Sequence, residues 1–235
     1  MPPPFESVIL DLDGVIADSE PWWNQIDTKL LAEHGVRYRG EYHRNVLGVG
    51  YRVAVEFYKT SFNIFAPVEE LMRRRGEIAA DFFANHVGLF PSAKITLEKL
   101  RDMKLKLALA TSSVSASACP FLERTGIRGL FGVIVTGDEV HQGKPSPEIY
   151  LRTANALGVR PEACLVIEDA LAGVAAAKAA NMRVAAIPDT RFVNHREYEK
   201  EANYVLRELS DIPALIRRVN GRSPRSTSFD RKFLQ

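Results

Sequence analysis

The chain has 235 residues, of which 46% are hydrophobic and 26% charged, so it can bury its own core without a disulfide or metal staple. Its formal net charge of +2 is too small to make nucleic acid an expected partner. No apolar run reaches the roughly 18 residues of a membrane span, and the start of the chain lacks the features of a secretion signal. The two cysteines, Cys119 and Cys164, stand in apolar settings, which indicates a reducing compartment. We therefore expect a soluble, cytoplasmic globular protein that binds neither nucleic acid nor membranes.

Short apolar runs recur along the chain, and the segments between them have helical patterns. The runs lack polar alternation, as expected for strands that helices cover on both faces. They comprise residues 8–10, 105–110, 133–135, 164–167, 184–187 and 204–206. Helices are predicted between them, for example over residues 93–103, 147–157 and 170–180, with C-terminal caps at Gly126, Gly158 and Asn181. This alternation predicts the α/β class with a Rossmann-like, doubly wound parallel sheet.

The region between residues 18 and 88 departs from this alternation, because it contains no apolar run as strong as those of the sheet. Its apolar residues recur at helical spacing, as in Trp23, Ile26 and Leu30. We therefore predict an α-helical cap domain inserted into the α/β core. The predicted parts are a discontinuous core of residues 1–17 and 89–220, a helical cap of residues 18–88, and a flexible basic tail of residues 221–235.

Two carboxylates follow the first predicted strand directly. Asp11 and Asp13 are spaced two residues apart and are followed by Gly14, so on an extended chain both side chains point to the same side. Ligands of open α/β sheets bind at the carboxyl ends of the strands, where this pair falls. Paired carboxylates suit magnesium, and in different environments one could act as nucleophile and the other as general acid and base. Taken alone, the fragment is equally typical of a strand-ending turn.

Other predicted strands also end in residues that carry chemistry. Thr111 and Ser112 offer hydroxyls and backbone amides at the mouth of a helix, which suits an anion. Lys144 lies in a loop that prolines stiffen, and Glu168 and Asp169 form a second acidic pair. Each feature alone has an ordinary structural explanation, such as a helix cap or a solvated charge. Together they would meet at one edge of one sheet, which is far more specific than any one of them.

All of these motifs occur in the order shown by the haloacid dehalogenase superfamily of phosphohydrolases, and nearly the whole chain resembles that superfamily. The resemblance implies that Asp11 is the nucleophile and Asp13 the general acid and base. It implies that Thr111, Ser112 and Lys144 hold the transferring phosphoryl group. It also implies a magnesium ion, held by Asp11, the backbone carbonyl of Asp13, and the acidic pair Glu168 and Asp169.

The predicted cap resembles that of the subgroup containing β-phosphoglucomutase and many small-molecule phosphatases. Residues 18–23 look most like members that act on hexose and polyol phosphates. The resemblance therefore implies a magnesium-dependent phosphatase that hydrolyses a small phosphate monoester through an aspartyl-phosphate. Its partner would be a small-molecule ester, and the protein would be a monomer or a weak homodimer. Cap residues expected to contact the substrate are Trp23, Asn24, Gly48 and Arg52, whereas the arginine run 73–75 is expected to be a solvated helix face.

Two alternatives remain. β-Phosphoglucomutase-like enzymes carry a cap histidine shortly after the paired aspartates, and Trp23 stands at that position here. An indole cannot exchange a proton near neutral pH, which disfavours a mutase.

A non-catalytic regulatory protein on the same fold would be expected to lack one of the motif acids, and none is missing. Dehalogenases of the superfamily lack the second aspartate, which is present here as Asp13. Phosphatase is therefore the preferred prediction.

Overall fold

The computed structural model describes residues 3–221, without the side chains of residues 43 and 44. The predicted tail, apart from Gly221, lies outside the described residues. No helix among the described residues is long and apolar enough to cross a bilayer.

Six parallel strands form the central sheet, in the order β5-β4-β1-β6-β7-β8. Their bounds are β1 Ser7–Leu10, β4 Lys106–Ala110, β5 Val133–Val135, β6 Cys164–Glu168, β7 Arg183–Ala186 and β8 Tyr204–Val205. Leu10 is in register with Leu109 on one side and Ile167 on the other, so the three central strands end at the same edge. Every residue of β1 and β6 is buried, which explains why these strands are apolar without alternation.

Helices cover both faces of the sheet. Their bounds are α4 Ala93–Asp102, α5 Ser115–Arg124, α6 Glu148–Leu157, α7 Leu171–Ala179, α8 Tyr198–Glu201 and α9 Ile212–Asn220. Val8 and Leu10 belong to the core cluster that contains α4, α5 and α9, whereas Ile9 belongs to the opposite cluster with α6 and α7. The predicted doubly wound parallel sheet is therefore confirmed. The predicted caps Gly126, Gly158 and Asn181 all have a left-handed backbone, with φ of 68°, 62° and 63°.

Three α-helices lie between the first strand of the sheet and residue 88, in the region of the predicted helical insertion. They are α1 Glu20–Ala32, α2 Tyr51–Ser61 and α3 Val68–Asn85, with a 3-10 segment at Gly40–Asn45. The chain leaves the core at β2, Ala17–Asp18, and returns at β3, Gly88–Leu89, and these two short strands pair antiparallel. The predicted boundaries at residues 17 and 88 fall on this pair, although the division into domains remains a prediction. Phe83 of α3 contacts Phe121 of α5 with 5.6 Å between ring centroids, so the cap helices pack onto the core.

Candidate active site

The carboxyl ends of the central strands bring the predicted acids together. Asp11 follows β1, and its backbone N–H donates to the carbonyl of Ile167 on β6 at 3.0 Å. Glu168 ends β6 and Asp169 follows it. The side chains of Asp11, Glu168 and Asp169 are all buried, and each offers an oxygen within 4.8 Å of the other two. The parallel register alone produces this arrangement, because neighbouring strands end at the same level.

Lys144 lies among these acids and is only 2% exposed. Its Nζ donates to Asp11 Oδ1 at 2.8 Å and to Glu168 Oε1 at 2.6 Å. Tyr150 of α6 also donates its hydroxyl to Glu168 Oε1, while Glu168 Oε2 accepts the backbone N–H groups of Asp169 and Ala170 at 3.2 and 3.4 Å. Four donors therefore fix the Glu168 carboxylate, and that carboxylate in turn orients Lys144 toward Asp11.

The cluster contains more negative charge than Lys144 can balance. Burial, with Glu168 and Asp13 nearby, raises the pKa of Asp11 to about 8 despite the opposing effect of Lys144. Burial raises the pKa of Asp169 as well, and the neighbouring carboxylates add to the effect. Burial alone would lower the pKa of Lys144, but the Asp11 and Glu168 carboxylates hold it well above its usual range.

A divalent cation would relieve this excess. Carboxylate oxygens are the ligands that magnesium prefers, so the donor set of the buried acids fits the ion. Gly14 supports the same interpretation: its φ is +67°, and a Cβ there would lie 2.1 Å from Asp169 Oδ2. Only glycine lets the backbone after Asp13 approach this carboxylate so closely. The residues present therefore fit the predicted magnesium ion.

The Asp13 carboxylate accepts hydrogen bonds from a different set of side chains. Its Oδ1 accepts from Ser19 Oγ at 2.6 Å and from Trp23 Nε1 at 2.8 Å. Its Oδ2 accepts from Ser113 Oγ at 2.7 Å and from Thr111 Oγ1 at 3.4 Å. Ser19 and Trp23 come from the segment that enters the cap, whereas Thr111 and Ser113 come from the core. The Asp13 carboxylate is thus held between core and cap, and donors from both parts fix its orientation.

A cavity of about 50 Å³ lies between core and cap. Its core side is formed by polar and charged residues, namely Asp11, Asp13, Ser112, Ser113, Lys144 and Asp169. Its cap side includes Glu20, Trp23, Asp27, Gly48, Tyr51 and Arg75. The cap loop closes directly onto the core, because the Gly50 N–H donates to the Lys144 carbonyl at 3.0 Å. A Cβ on Gly48 would lie 2.1 Å from Ala170 Cβ, so this contact also requires glycine.

Arg75 of α3 forms the central ion pair of the cap. Its Nε and Nη2 donate to the two carboxylate oxygens of Asp27 on α1 at 2.7 and 3.2 Å, and Asp27 Oδ2 also accepts from the Tyr58 hydroxyl at 2.7 Å. The guanidinium lies over the rings of Trp23 and Tyr51, with its carbon 4.5 and 4.8 Å from their centroids. Burial would lower the pKa of Arg75, but the neighbouring Asp27 raises it above its ordinary value, so the guanidinium remains charged.

The structure places most of the predicted site residues on or beside the cavity. Asp11, Asp13, Ser112, Lys144, Asp169, Trp23 and Gly48 line it. Thr111 and Glu168 are buried behind this lining, where they contact Asp13 and Lys144 respectively. Trp23 contacts Asp13 through its indole N–H, and Arg75 covers one face of its ring.

Two expected cap residues do not line the cavity. Arg52 is half exposed and pairs with Glu69 at 3.1 Å and Glu56 at 3.7 Å, because the first turn of α2 points it to solvent. Asn24 lies one position beyond Trp23 on α1, and its Oδ1 accepts from the Tyr38 hydroxyl at 2.8 Å within the cap. The structure therefore gives both residues roles in cap structure.

Sequence reasoning also missed several residues of the site. Ser113, Asp27, Tyr51, Arg75 and Tyr150 were not among the predicted site residues. Arg75 corrects the expectation that residues 73–75 form a solvated face: Arg73 and Arg74 are exposed, whereas Arg75 is buried. The missed signal was periodicity, because Arg75 is in helical phase with the buried residues Leu71 and Ile78.

Comparisons with known proteins agree with this geometry. A family model described as "Haloacid dehalogenase-like hydrolase" matches residues 8–187. The chain is 35% identical over 178 residues to the "Phosphorylated carbohydrates phosphatase" of Thermotoga maritima, covering 76% of this chain and 82% of that protein. It is 30% identical over 206 residues to "Protein CbbY" of Rhodobacter capsulatus, covering 78% and 86%. In fold it is similar to crystalline CbbY from Rhodobacter sphaeroides in complex with phosphate, with a TM-score of 0.78, 24% identity, and coverage of 88% and 96%.

Proposed function

The chain belongs to the haloacid dehalogenase-like hydrolase family and is a phosphoric monoester hydrolase, and we propose that it is a magnesium-dependent phosphatase of small sugar or polyol phosphates. The observation that carries the proposal is the pairing of two aspartates in contrasting environments at one strand end. The Asp11 carboxylate accepts from a buried ammonium group, whereas the Asp13 carboxylate accepts from hydroxyl and indole donors. The name of the Thermotoga relative supports a phosphorylated carbohydrate as substrate.

In the first half of the reaction, an oxygen of Asp11 attacks phosphorus and the bond to the ester oxygen breaks. Lys144, which donates to Asp11 Oδ1 at 2.8 Å, opposes the effect of burial on the pKa of this carboxyl and holds it in a fixed orientation. The phosphoryl group is then bonded to Asp11 as an aspartyl-phosphate. The Lys144 ammonium and the hydrogen-bond donors of Ser112 offset the charge on its oxygens.

Asp13 supplies the proton that the leaving oxygen takes. Trp23 Nε1 can only donate a hydrogen bond, so Asp13 Oδ1, which faces it, must remain an acceptor. Oδ2 faces the hydroxyls of Ser113 and Thr111, which can rotate to accept instead. We therefore assign the transferred proton to Oδ2. In the second half, Asp13 removes a proton from the attacking water, the bond between Asp11 and phosphorus breaks, and phosphate leaves.

Magnesium would be held by Asp11, the backbone carbonyl of Asp13, and Asp169, with Glu168 beside them. The ion, when bound, would neutralise charge on the phosphoryl oxygens. The Glu168 carboxylate already accepts hydrogen bonds from Lys144, Tyr150 and two backbone amides. We therefore assign Glu168 mainly to holding Lys144 in place. Gly14 keeps the space beside Asp169 open for this arrangement.

The mutase alternative is disfavoured by the contact that Trp23 makes. Trp23, the cap residue that faces Asp13, has an N–H that does not titrate near neutral pH. It therefore cannot change the proton affinity of Asp13 from one bound intermediate to another. The closed contact between cap loop and core also suits a small ester better than a phosphorylated protein.

Phosphate release from a panel of small phosphate esters, with magnesium and with a chelator, tests the proposal. We expect magnesium-dependent release that favours one sugar or polyol ester, and no release by Asp11→Asn. Conversion of β-glucose 1-phosphate to the 6-phosphate without phosphate release would instead show a mutase. Absence of both reactions in a folded, magnesium-loaded protein would favour the non-catalytic alternative.

A further inference from the structure

Arg191 links the core to the segment by which the chain enters the cap. It lies in the loop that follows β7, where its backbone N–H and its Nε donate to Asp189 Oδ1 at 3.0 and 2.9 Å. Its Nη2 donates to Asp189 Oδ2 at 2.6 Å and also to Asp18 Oδ1 at 2.6 Å. Asp18 ends β2 and stands two residues before the first residue of α1. One guanidinium thus joins a carboxylate of the core to a carboxylate at the entrance to the cap.

The contact with Asp189 favours the pair with Asp18, although Arg191 is exposed. A surface ion pair contributes little when a long side chain must be ordered to form it. Here the bidentate contact with Asp189 already fixes the Arg191 guanidinium, so pairing with Asp18 orders only one short side chain. The pair therefore fastens the backbone at Asp18 to the loop after β7.

The residues that follow Asp18 orient the general acid. Ser19 Oγ and, one turn further along α1, Trp23 Nε1 both donate to Asp13 Oδ1, at 2.6 and 2.8 Å. The backbone N–H of Trp23 donates to the Ser19 carbonyl at 3.1 Å, so the position of Trp23 depends on where α1 begins. A shift of the backbone at Asp18 would therefore move both of these cap-side donors relative to Asp13.

We infer that Arg191 is a positioning residue for the general acid. Through its pair with Asp18, it holds the two cap-side donors in place on Asp13. The inference rests on the proposed phosphatase function, because Asp13 is a general acid only in that reaction. Arg191 acts in this scheme through the backbone that enters the cap, and not through a contact with the substrate.

Two substitutions that break the pair test the inference on sorbitol 6-phosphate. We expect kcat/KM to fall by about three- to fivefold in Arg191→Gln and in Asp18→Ala, and no further in the double variant. The two substitutions change the net charge in opposite directions. An effect of charge on the attraction of the anionic substrate would therefore raise kcat/KM in Asp18→Ala. A wild-type value in either folded variant, a rise in Asp18→Ala, or losses that multiply in the double variant overturn the inference.

p-Nitrophenyl phosphate separates positioning of the acid from a general loosening of the cap. Its nitrophenolate departs without a proton, whereas the alkoxide of sorbitol takes one from Asp13. Since kcat/KM reports the steps up to departure of the leaving group, Arg191→Gln should lose activity on the sorbitol ester and keep the wild-type value on the aryl ester. Equal losses on both esters would mean that Arg191 acts on cap closure or folding, and they overturn the inference.

A variant that lacks both cap-side donors asks the same question with sorbitol 6-phosphate alone. In Ser19→Ala with Trp23→Phe, the groups that Arg191 is inferred to hold are absent. Addition of Arg191→Gln to this variant should therefore cause no further loss of kcat/KM. A further loss as large as that in the wild-type background overturns the inference.

Arg74→Gln is the matched control. The Arg74 side chain is 42% exposed against 47% for Arg191, and it likewise pairs with two carboxylates, but its partners Glu33 and Glu77 both lie in the cap. Its kcat/KM should equal that of the wild type on both esters, and a loss like that of Arg191→Gln overturns the inference. Failure of the wild type to hydrolyse any ester overturns the proposed function, and this inference with it. An active wild type with an equally active Arg191→Gln overturns the inference alone.

Discussion

The cavity has a core wall, which includes Lys144, Asp11 and Asp169, and a cap wall, which includes Arg75 and Asp27. Each wall contains a buried cation, but the two cations have different surroundings. Lys144 on the core wall contacts two carboxylates and has a third, Asp169, close by, so negative charge is in excess. Arg75 on the cap wall contacts one carboxylate and is balanced. An unbalanced buried cluster favours the binding of a further cation, whereas a balanced ion pair does not. The comparison supports the proposed magnesium ion and phosphoryl transfer at the core wall, and it gives the Asp27–Arg75 pair a structural role in the cap.

Removal of the core cation is expected to have the largest effect. Lys144→Met leaves the Asp11 and Glu168 carboxylates buried without their cation, so we expect the free energy of unfolding to fall by about 3–5 kcal/mol. Phosphate release should fall below detection, because the nucleophile loses its orienting partner. Urea unfolding with and without Mg²⁺ measures the first effect, and Mg²⁺ should restore part of the loss. A fully active Lys144→Met would contradict the role given to this residue.

Removal of the cap cation, Arg75, should lower the free energy of unfolding by a comparable amount, but Mg²⁺ should not restore the loss. Arg75→Met leaves Asp27 buried and unpaired, at a cost of about 3–5 kcal/mol in the free energy of unfolding. Among residues 3–221, Asp27 belongs to no group of three acids of the kind that surrounds Lys144, so added Mg²⁺ should stabilise Arg75→Met no more than the wild type. Urea unfolding of both variants in parallel gives the comparison. Equal rescue of the two by Mg²⁺ would remove the distinction between the walls.

Trp23 connects the two walls, and its loss should affect turnover more than binding. Trp23→Phe keeps an aromatic ring against Arg75 but removes the N–H that donates to Asp13 Oδ1 at 2.8 Å. We expect kcat to fall by about tenfold with little change in KM, since the general acid loses one orienting donor. Trp22→Phe is the control, because Trp22 packs against Phe82 and His86. A change in KM alone would mean that Trp23 contacts substrate and does not orient Asp13.

The excess charge on the core wall also predicts a pH dependence of stability. Burial raises the pKa of Asp11 from its ordinary 3.8 to about 8 in the folded protein. Protonation of the Asp11 carboxyl stabilises the folded state. This contribution to the free energy of unfolding is complete below pH 3.8 and is lost as the pH rises through about 8. Urea midpoints of chelator-treated protein should therefore fall over this window, and Mg²⁺ should flatten the decline. A midpoint that rises with pH in the chelator would contradict the assignment.

The smallest expected effect concerns a single hydroxyl. Tyr150→Phe removes the O–H that donates to Glu168 Oε1 and changes no other atom. The Lys144 ammonium and two backbone amides still hold this carboxylate, so we expect a loss of about 1–2 kcal/mol in the free energy of unfolding. Activity should fall modestly at saturating Mg²⁺. Thermal unfolding measures the first effect, and an unchanged midpoint would show that the Tyr150 hydroxyl contributes nothing to the cluster.

The core wall could be predicted from the sequence because parallel strands end at one level. Asp11 and Glu168 are 157 residues apart along the chain, yet adjacent strands in register make them neighbours. Each acid also follows an apolar run that is easily recognised as a strand. In an open parallel sheet, residues that directly follow recognisable strands can therefore be predicted as site residues from the sequence alone.

The cap wall could not be predicted in the same way, because its residues meet only through the packing of helices. Asp27 and Arg75 lie on α1 and α3, and the pair depends on how those two helices cross. Arg52 was expected in the cleft, but the rotation of α2 about its own axis turns it to solvent. Helical periodicity would have identified Arg75 as buried, yet it could not have identified Asp27 as its partner.

The most direct test of the assignment is phosphate release from sorbitol 6-phosphate by the wild type and by Asp11→Asn, both with saturating Mg²⁺. The amide keeps the shape of the side chain but is a far weaker nucleophile, so we predict that the wild type releases phosphate and that release by Asp11→Asn falls by about 10⁴-fold or more. Thermal unfolding of the variant confirms that it is folded. Release by folded Asp11→Asn at a rate close to that of the wild type would contradict the assignment of Asp11 as the nucleophile, and with it the catalytic role given to the core wall.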